Sequence, residues 1–153
     1  MSAILLWFKR DLRVDDHPAL AHAVAMGRPI LPVYVAEPAY WHQPDTSGRQ
    51  WNFTRDCVQD LQTALAQLGQ PLIIRTGDVC DAFDHLHQSH PFDHMISHEE
   101  TGNLWTYGRD RRVAAWARDK GIIWTELPQS GVTRRLGSRD GWARAREQYV
   151  RRP

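Results

Sequence analysis

Residues 4–8 (ILLWF), followed at residues 9–18 by KRDLRVDDHP, decide the fold class of this chain. Five consecutive apolar residues favour a strand that is buried on both faces. The DDHP segment at 15–18 then supplies N-cap and first-turn residues for a helix, which we expect to reach about Met26 and to end at Gly27. The chain therefore begins with a predicted strand, a polar turn and a helix.

The same alternation of short apolar runs and helical stretches continues along the chain. Further strands are predicted at residues 29–36, 72–74, 92–97 and 122–125. Helices are predicted at about 50–68, 78–89 and 104–120, and the segment 37–49, which contains proline and glycine, is predicted to be a loop. Strands separated by helices form a parallel sheet with both faces covered. Right-handed crossovers then favour a doubly wound, Rossmann-like α/β fold, with five parallel strands in the order 3-2-1-4-5.

The predicted strand order reverses between strands one and four. Ligands of doubly wound sheets bind at such a point, beyond the carboxyl ends of the strands. Two groups of polar residues follow these strands: Lys9, Arg10, Asp11 and Arg13 after the first, and His98, Glu99, Glu100 and Asn103 after the fourth. Two interpretations of Glu99 and Glu100 stay open. They stabilise the start of a helix through its dipole, or they accept hydrogen bonds from a ring N–H of a bound heterocycle.

The composition indicates a globular protein and excludes several classes. The 153 residues are 42% hydrophobic and 24% charged with a net charge of +1, which argues against a protein that binds nucleic acid over its whole surface. Cys57 and Cys80 are too few for a four-thiolate metal site, and we expect two free thiols in a reducing cytosol. The first apolar run stops at Lys9, too early for a signal peptide or a membrane span, so we expect a cytoplasmic protein without a membrane partner.

Motifs of common nucleotide sites are missing: the sequence contains no GxGxxG after the first strand, no GxxxxGK[ST] and no HxGH. Five histidines are spread over a helix, a turn and a strand, and because they are not expected to converge we predict no metal site: His85, His87, His90, His94 and His98. Trp51 and Trp116 are expected in the core. Trp41 and Trp105 are candidates for stacking on a planar ligand.

The end of the chain differs from the rest. Residues 127–137 predict a long connection, and residues 138–152 predict a basic helix capped by Ser138 or Asp140. We assign residues 1–137 to the α/β domain and 138–153 to a basic helix that leads to an interdomain linker. Three arginines near this boundary form either a solvated surface or a docking face: Arg134, Arg135 and Arg139.

Four segments resemble the N-terminal domain of the DNA photolyase/cryptochrome family. They are LLWFKRDLR with DDHPAL at 5–20, SGRQWNF at 47–53, HEETGN with RDRRV at 98–113, and GVTRRL with RDGW at 131–142. The first segment is long and ordered, so the resemblance is specific, and the four together span the whole chain. The resemblance implies a Rossmann-like domain that holds an antenna chromophore, either a folate or a flavin-like molecule.

The resemblance also implies where the activity of the parent protein lies. FAD, with which the parent would repair pyrimidine dimers in light, is expected in a following helical domain of the same chain, which also contacts most of the damaged DNA. We expect no catalytic residue here, and the chain alone is predicted to be inactive. The implied antenna site consists of seven residues: Phe8, Lys9, Arg10, Asp11, Glu99, Glu100 and Asn103.

Two alternative functions stay open at this point. The parent is either a repair enzyme or a cryptochrome-type blue-light photoreceptor, and nothing in this half of the protein separates the two. A stand-alone nucleotide- or flavin-binding module of the same architecture is a third hypothesis. The segment 131–137 gives it little support, because it is rich in arginine and poor in glycine.

Overall fold

The computed structural model describes residues 2–132, 134, 138 and 140–151. Its elements in chain order are β1 Ala3–Phe8, α1 Pro18–Ala25, β2 Ile30–Ala36, α2 Pro38–Trp41, α3 Gly48–Gln67, β3 Ile73–Thr76, α4 Val79–Ser89, β4 Phe92–His98, α5 Leu104–Asp119, β5 Ile123–Leu127 and α6 Trp142–Val150. All five predicted strands are present. No helix in this described part of the chain is both long and apolar enough to span a membrane.

The strand β1 lies at the centre of an all-parallel sheet with the order β3-β2-β1-β4-β5, which confirms the predicted topology. Leu6 pairs with Pro32 of β2 on one side and with Ile96 of β4 on the other. Residues 4–8 are all buried because helices cover both faces of the sheet.

Alternate residues of β1 contribute to two separate hydrophobic cores, since successive side chains of a strand point to opposite faces. Leu5 and Trp7 pack with residues of α4 and α5. Ile4, Leu6 and Phe8 pack with residues of α1 and α3 on the other face. The ILLWF run therefore supports both helical layers.

The segment 37–49 contains a short helix, so the loop prediction was wrong for residues 38–41. Pro38 occupies the first turn of α2, where its fixed φ suits a helix and its missing N–H has no partner to lose. The long helix α3 then begins after Ser47, whose hydroxyl accepts a hydrogen bond from the backbone N–H of Gln50.

The basic helix near the end of the chain is shorter than predicted. α6 begins at Trp142, and its N-cap is Gly141 with a φ of 95°, in the left-handed region that favours glycine. Neither predicted cap serves the helix: the Ser138 hydroxyl instead accepts a hydrogen bond from the backbone N–H of Asp140.

Of the three arginines predicted to form a solvated surface or a docking face, the structure describes one. Arg134 pairs with Glu126 at 3.0 Å, which fits a surface ion pair. Arg135 and Arg139 lie outside the described residues. The domain division at residue 137 stays a prediction.

Substitution of two phenylalanines tests which side chains are buried between the sheet and its helices. Phe83 is fully buried between the sheet and α5, so Phe83→Ala should lower the free energy of unfolding by about 3–5 kcal/mol through the cavity it leaves. Phe53 on α3 is 72% exposed, and Phe53→Ala should change that free energy by less than about 0.5 kcal/mol. Urea denaturation followed by circular dichroism measures both, and equal losses would contradict the assignment.

Candidate functional site

A cavity of about 760 Å³ opens at the carboxyl end of the sheet. Trp7 and Phe8 at the end of β1 line it, together with Tyr34 and Val35 near the end of β2. Residues of α2, α3 and α5 complete its walls. The cavity therefore begins at the predicted reversal of strand order and extends from β1 over β2 toward α3.

One wall of the cavity is aromatic. Tyr40 and Trp41 of α2 line it, and so does Phe53 of α3. The ring centroids of Trp41 and Trp51 lie 5.1 Å apart, and those of Tyr40 and Trp105 lie 5.3 Å apart. Of the two tryptophans predicted to stack on a ligand, Trp41 thus lines the cavity, whereas Trp105 packs against Tyr40.

A buried arginine joins the ends of two strands beside the cavity. Arg109 of α5 donates hydrogen bonds to Glu37 after β2 at 3.0 Å, to Glu100 after β4 at 2.9 Å, and to its neighbour Asp110 at 2.9 Å. Burial by itself lowers the pKa of Arg109, but the carboxylates of Asp110, Glu37 and Glu100 outweigh burial and raise the pKa above its ordinary value. The guanidinium is therefore a fixed positive charge.

Lys9 is a second buried cation at this edge. Its Nζ lies 2.8 Å from Asp110 and above the rings of Trp7 and Trp124, 4.4 and 5.3 Å from their centroids. Burial lowers the pKa of Lys9, and the carboxylate of Asp110 opposes that effect. Lys9 lines the cavity, but its ammonium group is already held by an ion pair and two cation–π contacts.

The carboxylate of Glu100 is occupied by groups of the protein. Its Oε1 accepts hydrogen bonds from the backbone N–H groups of Thr101 at 3.0 Å and Gly102 at 2.8 Å, and from Arg10. Its Oε2 accepts the bond from Arg109. A Cβ at position 102 would lie 2.6 Å from Thr106 Oγ1 and 2.9 Å from Glu100 Oε1, so a larger residue there would displace these side chains. Four donors on two oxygens leave Glu100 little capacity for a ligand.

The carboxylate of Asp11 points away from the cavity into a buried cluster. Its Oδ1 accepts a hydrogen bond from the Lys9 backbone N–H at 2.8 Å, and its Oδ2 accepts one from His98 Nδ1 at 2.7 Å. His17 Nε2 lies 2.8 Å from the same Oδ2, although poorly aligned for a hydrogen bond. Burial raises the pKa of Asp11, but His17, His98 and the Lys9 N–H outweigh burial and hold the pKa far below its usual range.

Asp11, His17 and His98 also have the spacing of metal ligands within the part of the chain that the structure describes. His17 Nδ1 accepts a hydrogen bond from the backbone N–H of Leu20 at 2.9 Å, and His98 Nε2 accepts one from Ala19 at 3.3 Å. A neutral imidazole that accepts on one nitrogen carries its proton on the other, so both rings present N–H groups to Asp11 rather than lone pairs. The cluster fits a hydrogen-bonded anchor, and the absence of a metal site stays a prediction.

Four of the seven predicted cofactor-binding residues line the cavity: Phe8, Lys9, Arg10 and Glu100. The other three have different surroundings. Asp11 anchors the loop after β1. The backbone N–H of Glu99 bonds to Leu127 O at 2.8 Å, and the side chain of Asn103 caps α5 and donates to Asp45 Oδ2 at 2.7 Å. A binding role for these seven residues stays a prediction.

The sequence interpretation missed several residues that line the cavity. Glu37 directly follows the apolar run of β2 just as Lys9 follows β1, so the same rule about carboxyl ends could have identified it. Phe53 and Arg49 belong to α3, and no local pattern distinguishes their side of the helix from an ordinary solvated face.

Comparison with known proteins identifies the family. The sequence model of the family described as DNA photolyase matches residues 4–135. The chain belongs to the DNA photolyase family. It is 44% identical over 75 residues to a deoxyribodipyrimidine photo-lyase of Salmonella typhimurium, a match that covers 48% of this chain and 16% of the relative. It is 38% identical over 82 residues to a cryptochrome DASH of Natronomonas pharaonis, covering 50% and 17%.

A solved photolyase shares the fold of this family member. The class III photolyase of Agrobacterium tumefaciens superposes with a TM-score of 0.78 at 24% identity, over 92% of this chain and 29% of that one. The photolyase-family chain described here therefore spans less than a third of each of these three proteins.

The Asp11 cluster yields a prediction about pH. Asp11→Asn should lower the free energy of unfolding at pH 7 by about 3–5 kcal/mol, because it removes a buried carboxylate from its donors. The pKa of Asp11 is lower in the folded protein than its ordinary value of 3.8. The contribution of the carboxylate to the free energy of unfolding is therefore fully present above pH 3.8, and it is lost as the pH falls toward the folded-state pKa. The difference between wild type and variant should therefore shrink in urea titrations at about pH 3.

The matched control is Asp56→Asn on the exposed surface of α3, where the loss should stay below about 0.5 kcal/mol at every pH. A difference between Asp11→Asn and wild type that does not depend on pH would contradict the role given to the carboxylate.

Proposed function

We propose that the cavity binds a planar antenna chromophore, a folate or a flavin-like molecule, and that the parent protein is a light-driven flavoprotein. The parent would repair pyrimidine dimers in DNA by electron transfer from excited, reduced FAD, held in a helical domain outside this chain. The antenna supplies light absorption and passes excitation energy to FAD. The residues of this chain hold the antenna and form a face toward the second domain.

The observation that carries the proposal is the size and lining of the cavity. Small-molecule sites usually measure about 300–1,000 Å³ and are mostly apolar with a few fixed polar groups, and this cavity of about 760 Å³ fits that description. Tyr40, Trp41 and Phe53 line it with aromatic rings, which favour offset or edge contacts with another planar ring. A bicyclic or tricyclic heterocycle matches these surroundings.

Positive charge near the opening suits an anionic tail on such a heterocycle. Arg10, Arg13 and Arg49 all line the cavity, and the side chain of Arg10 is 53% exposed. Arg49 lies in the first turn of α3, where free backbone N–H groups and the helix dipole also favour negative charge. Arginine binds phosphate and carboxylate through paired hydrogen bonds, so either group on the tail would be accommodated.

A cryptochrome-type photoreceptor is the second candidate for the parent. The matches to a cryptochrome DASH and to a deoxyribodipyrimidine photo-lyase cover nearly equal shares of this chain, 50% and 48%. The cavity would serve an antenna in either protein, because the difference between signalling and repair belongs to the rest of the parent.

Filling the cavity should weaken chromophore binding. The purified chain should bind FMN or tetrahydrofolate, measured by isothermal titration. Cys57→Trp places an indole in the cavity wall and should weaken binding by about tenfold or more, because the side chain takes the space of the ligand. Thr63→Trp, on an exposed position of the same helix, is the matched control and should bind like wild type. Two results would contradict the proposal: wild type binds neither FMN nor tetrahydrofolate, or the two variants bind with equal affinity.

The chain by itself should not repair DNA. Illumination of ultraviolet-damaged oligothymidylate with this chain and reduced FAD should restore no more thymine absorbance than a sample without protein. The reason is that the proposed antenna domain supplies excitation energy and no site for the dimer. Repair above that background would refute the division of labour between this chain and the rest of the parent.

A further inference from the structure

Glu37 is a buried carboxylate at the edge of the cavity. It follows β2 directly, precedes α2 as its N-cap residue, and is only 6% exposed while lining the cavity. Its Oε2 accepts a hydrogen bond from Arg109 Nη1 at 3.0 Å. The side chain is therefore held in place by the protein and still borders the space available to a ligand.

The two carboxylates that line the cavity differ in how many donors they already bind. A carboxylate offers about four acceptor positions on its two oxygens. Glu100 accepts four hydrogen bonds, whereas Arg109 is the one side-chain donor to Glu37 in the described part of the chain. Burial raises the pKa of Glu37, and the neighbouring Arg109 opposes that effect. Most of the spare acceptor capacity at this edge of the cavity thus belongs to Glu37.

Arg109 places donor capacity beside that acceptor. A guanidinium carries five N–H groups. Three of them bind Asp110, Glu37 and Glu100, one from each nitrogen, which leaves one further N–H on Nη1 and one on Nη2. Arg109 also lines the cavity. An acceptor and a donor therefore stand next to each other, fixed by their mutual hydrogen bond.

We propose that Glu37 and Arg109 recognise the edge of a heterocycle in which a ring N–H adjoins a carbonyl group, with Glu37 as the specificity-determining residue. Glu37 accepts the hydrogen bond of the ring N–H, and Arg109 donates to the adjacent carbonyl oxygen. This lactam or imide edge occurs in both flavins and pterins. The inference rests on the proposed function, since it names the chemistry that the same cavity selects.

The experiment compares ligands that differ only at this edge. Wild type should bind riboflavin about tenfold or more tightly than 3-methylriboflavin, because methylation removes the N–H that a buried carboxylate is placed to accept. A second arm uses 6-hydroxymethylpterin and its N3-methyl form. The pair in which the unmethylated compound binds more tightly than its N3-methyl form identifies the heterocycle as a flavin or a pterin. Fluorescence titration measures all four affinities.

The variant Glu37→Gln separates recognition by the carboxylate from simple steric exclusion of the methyl group. Its amide oxygen still accepts the hydrogen bond of Arg109, while its NH₂ group meets the ligand N–H as a second donor. Preference for the unmethylated ligand should fall to within about twofold. Glu147→Gln on α6, where the side chain is 62% exposed, is the matched control and should retain the preference.

Two results would overturn the inference. Equal affinity of wild type for a ligand and its N3-methyl form overturns the inference, and this comparison needs no variant to fold. A full preference retained in Glu37→Gln also overturns it and indicates steric exclusion. If wild type binds none of the four ligands (FMN, tetrahydrofolate, riboflavin and the pterin), the proposed function itself fails, and the inference fails with it.

Discussion

The guanidinium of Arg109 holds together the end of the sheet at which the cavity opens. Its three nitrogen atoms donate to Glu37 after β2, to Glu100 after β4 and to Asp110 on its own helix, so one side chain connects two strand ends and α5. An unpaired charge at this depth is strongly unfavourable, and the carboxylates offset its desolvation only while the hydrogen bonds are all made. The cluster therefore behaves as one unit around Arg109, and loss of Arg109 would remove the one side-chain donor to buried Glu37 in the described part of the chain.

The charges of this unit explain which part of a ligand can lie against it. Lys9, Arg10 and Arg109 are three cations, and Glu37, Glu100 and Asp110 are three carboxylates, so the paired groups are close to neutral together. A neutral edge with one donor and one acceptor adds no charge to this buried region, whereas an anionic group would disturb the balance. The negative tail of a ligand is better placed near Arg13 and Arg49, where solvent is closer.

The sheet was predictable from sequence because near-continuous apolar runs have few other solutions in a chain of this length. The edge of the sheet at which the cavity opens followed from the same reasoning. The side chains that line the cavity did not, because they depend on contacts between distant segments. Asp11 turns inward to His17 and His98, and Glu100 is occupied by the backbone of its own turn, whereas Glu37 keeps free capacity. The three acids, each following a strand, thus differ in their hydrogen-bond partners, and no local sequence pattern distinguishes them.

Two buried clusters, one around Asp11 and one around Arg109, fix the end of the sheet at which the cavity opens. Asp11 ties the loop after β1 to the start of α1 and the end of β4, and the Arg109 cluster ties β2 and β4 to α5. A preformed site spends little binding free energy on ordering its own groups. For the proposed ligand, discrimination would arise at the buried edge, where a mismatched hydrogen bond is costly. Attraction of the proposed anionic tail by Arg13 and Arg49 would act nearer the solvent, so salt would weaken it and it would distinguish little between one anionic tail and another. The proposed binding therefore separates selectivity from general affinity in space within one cavity.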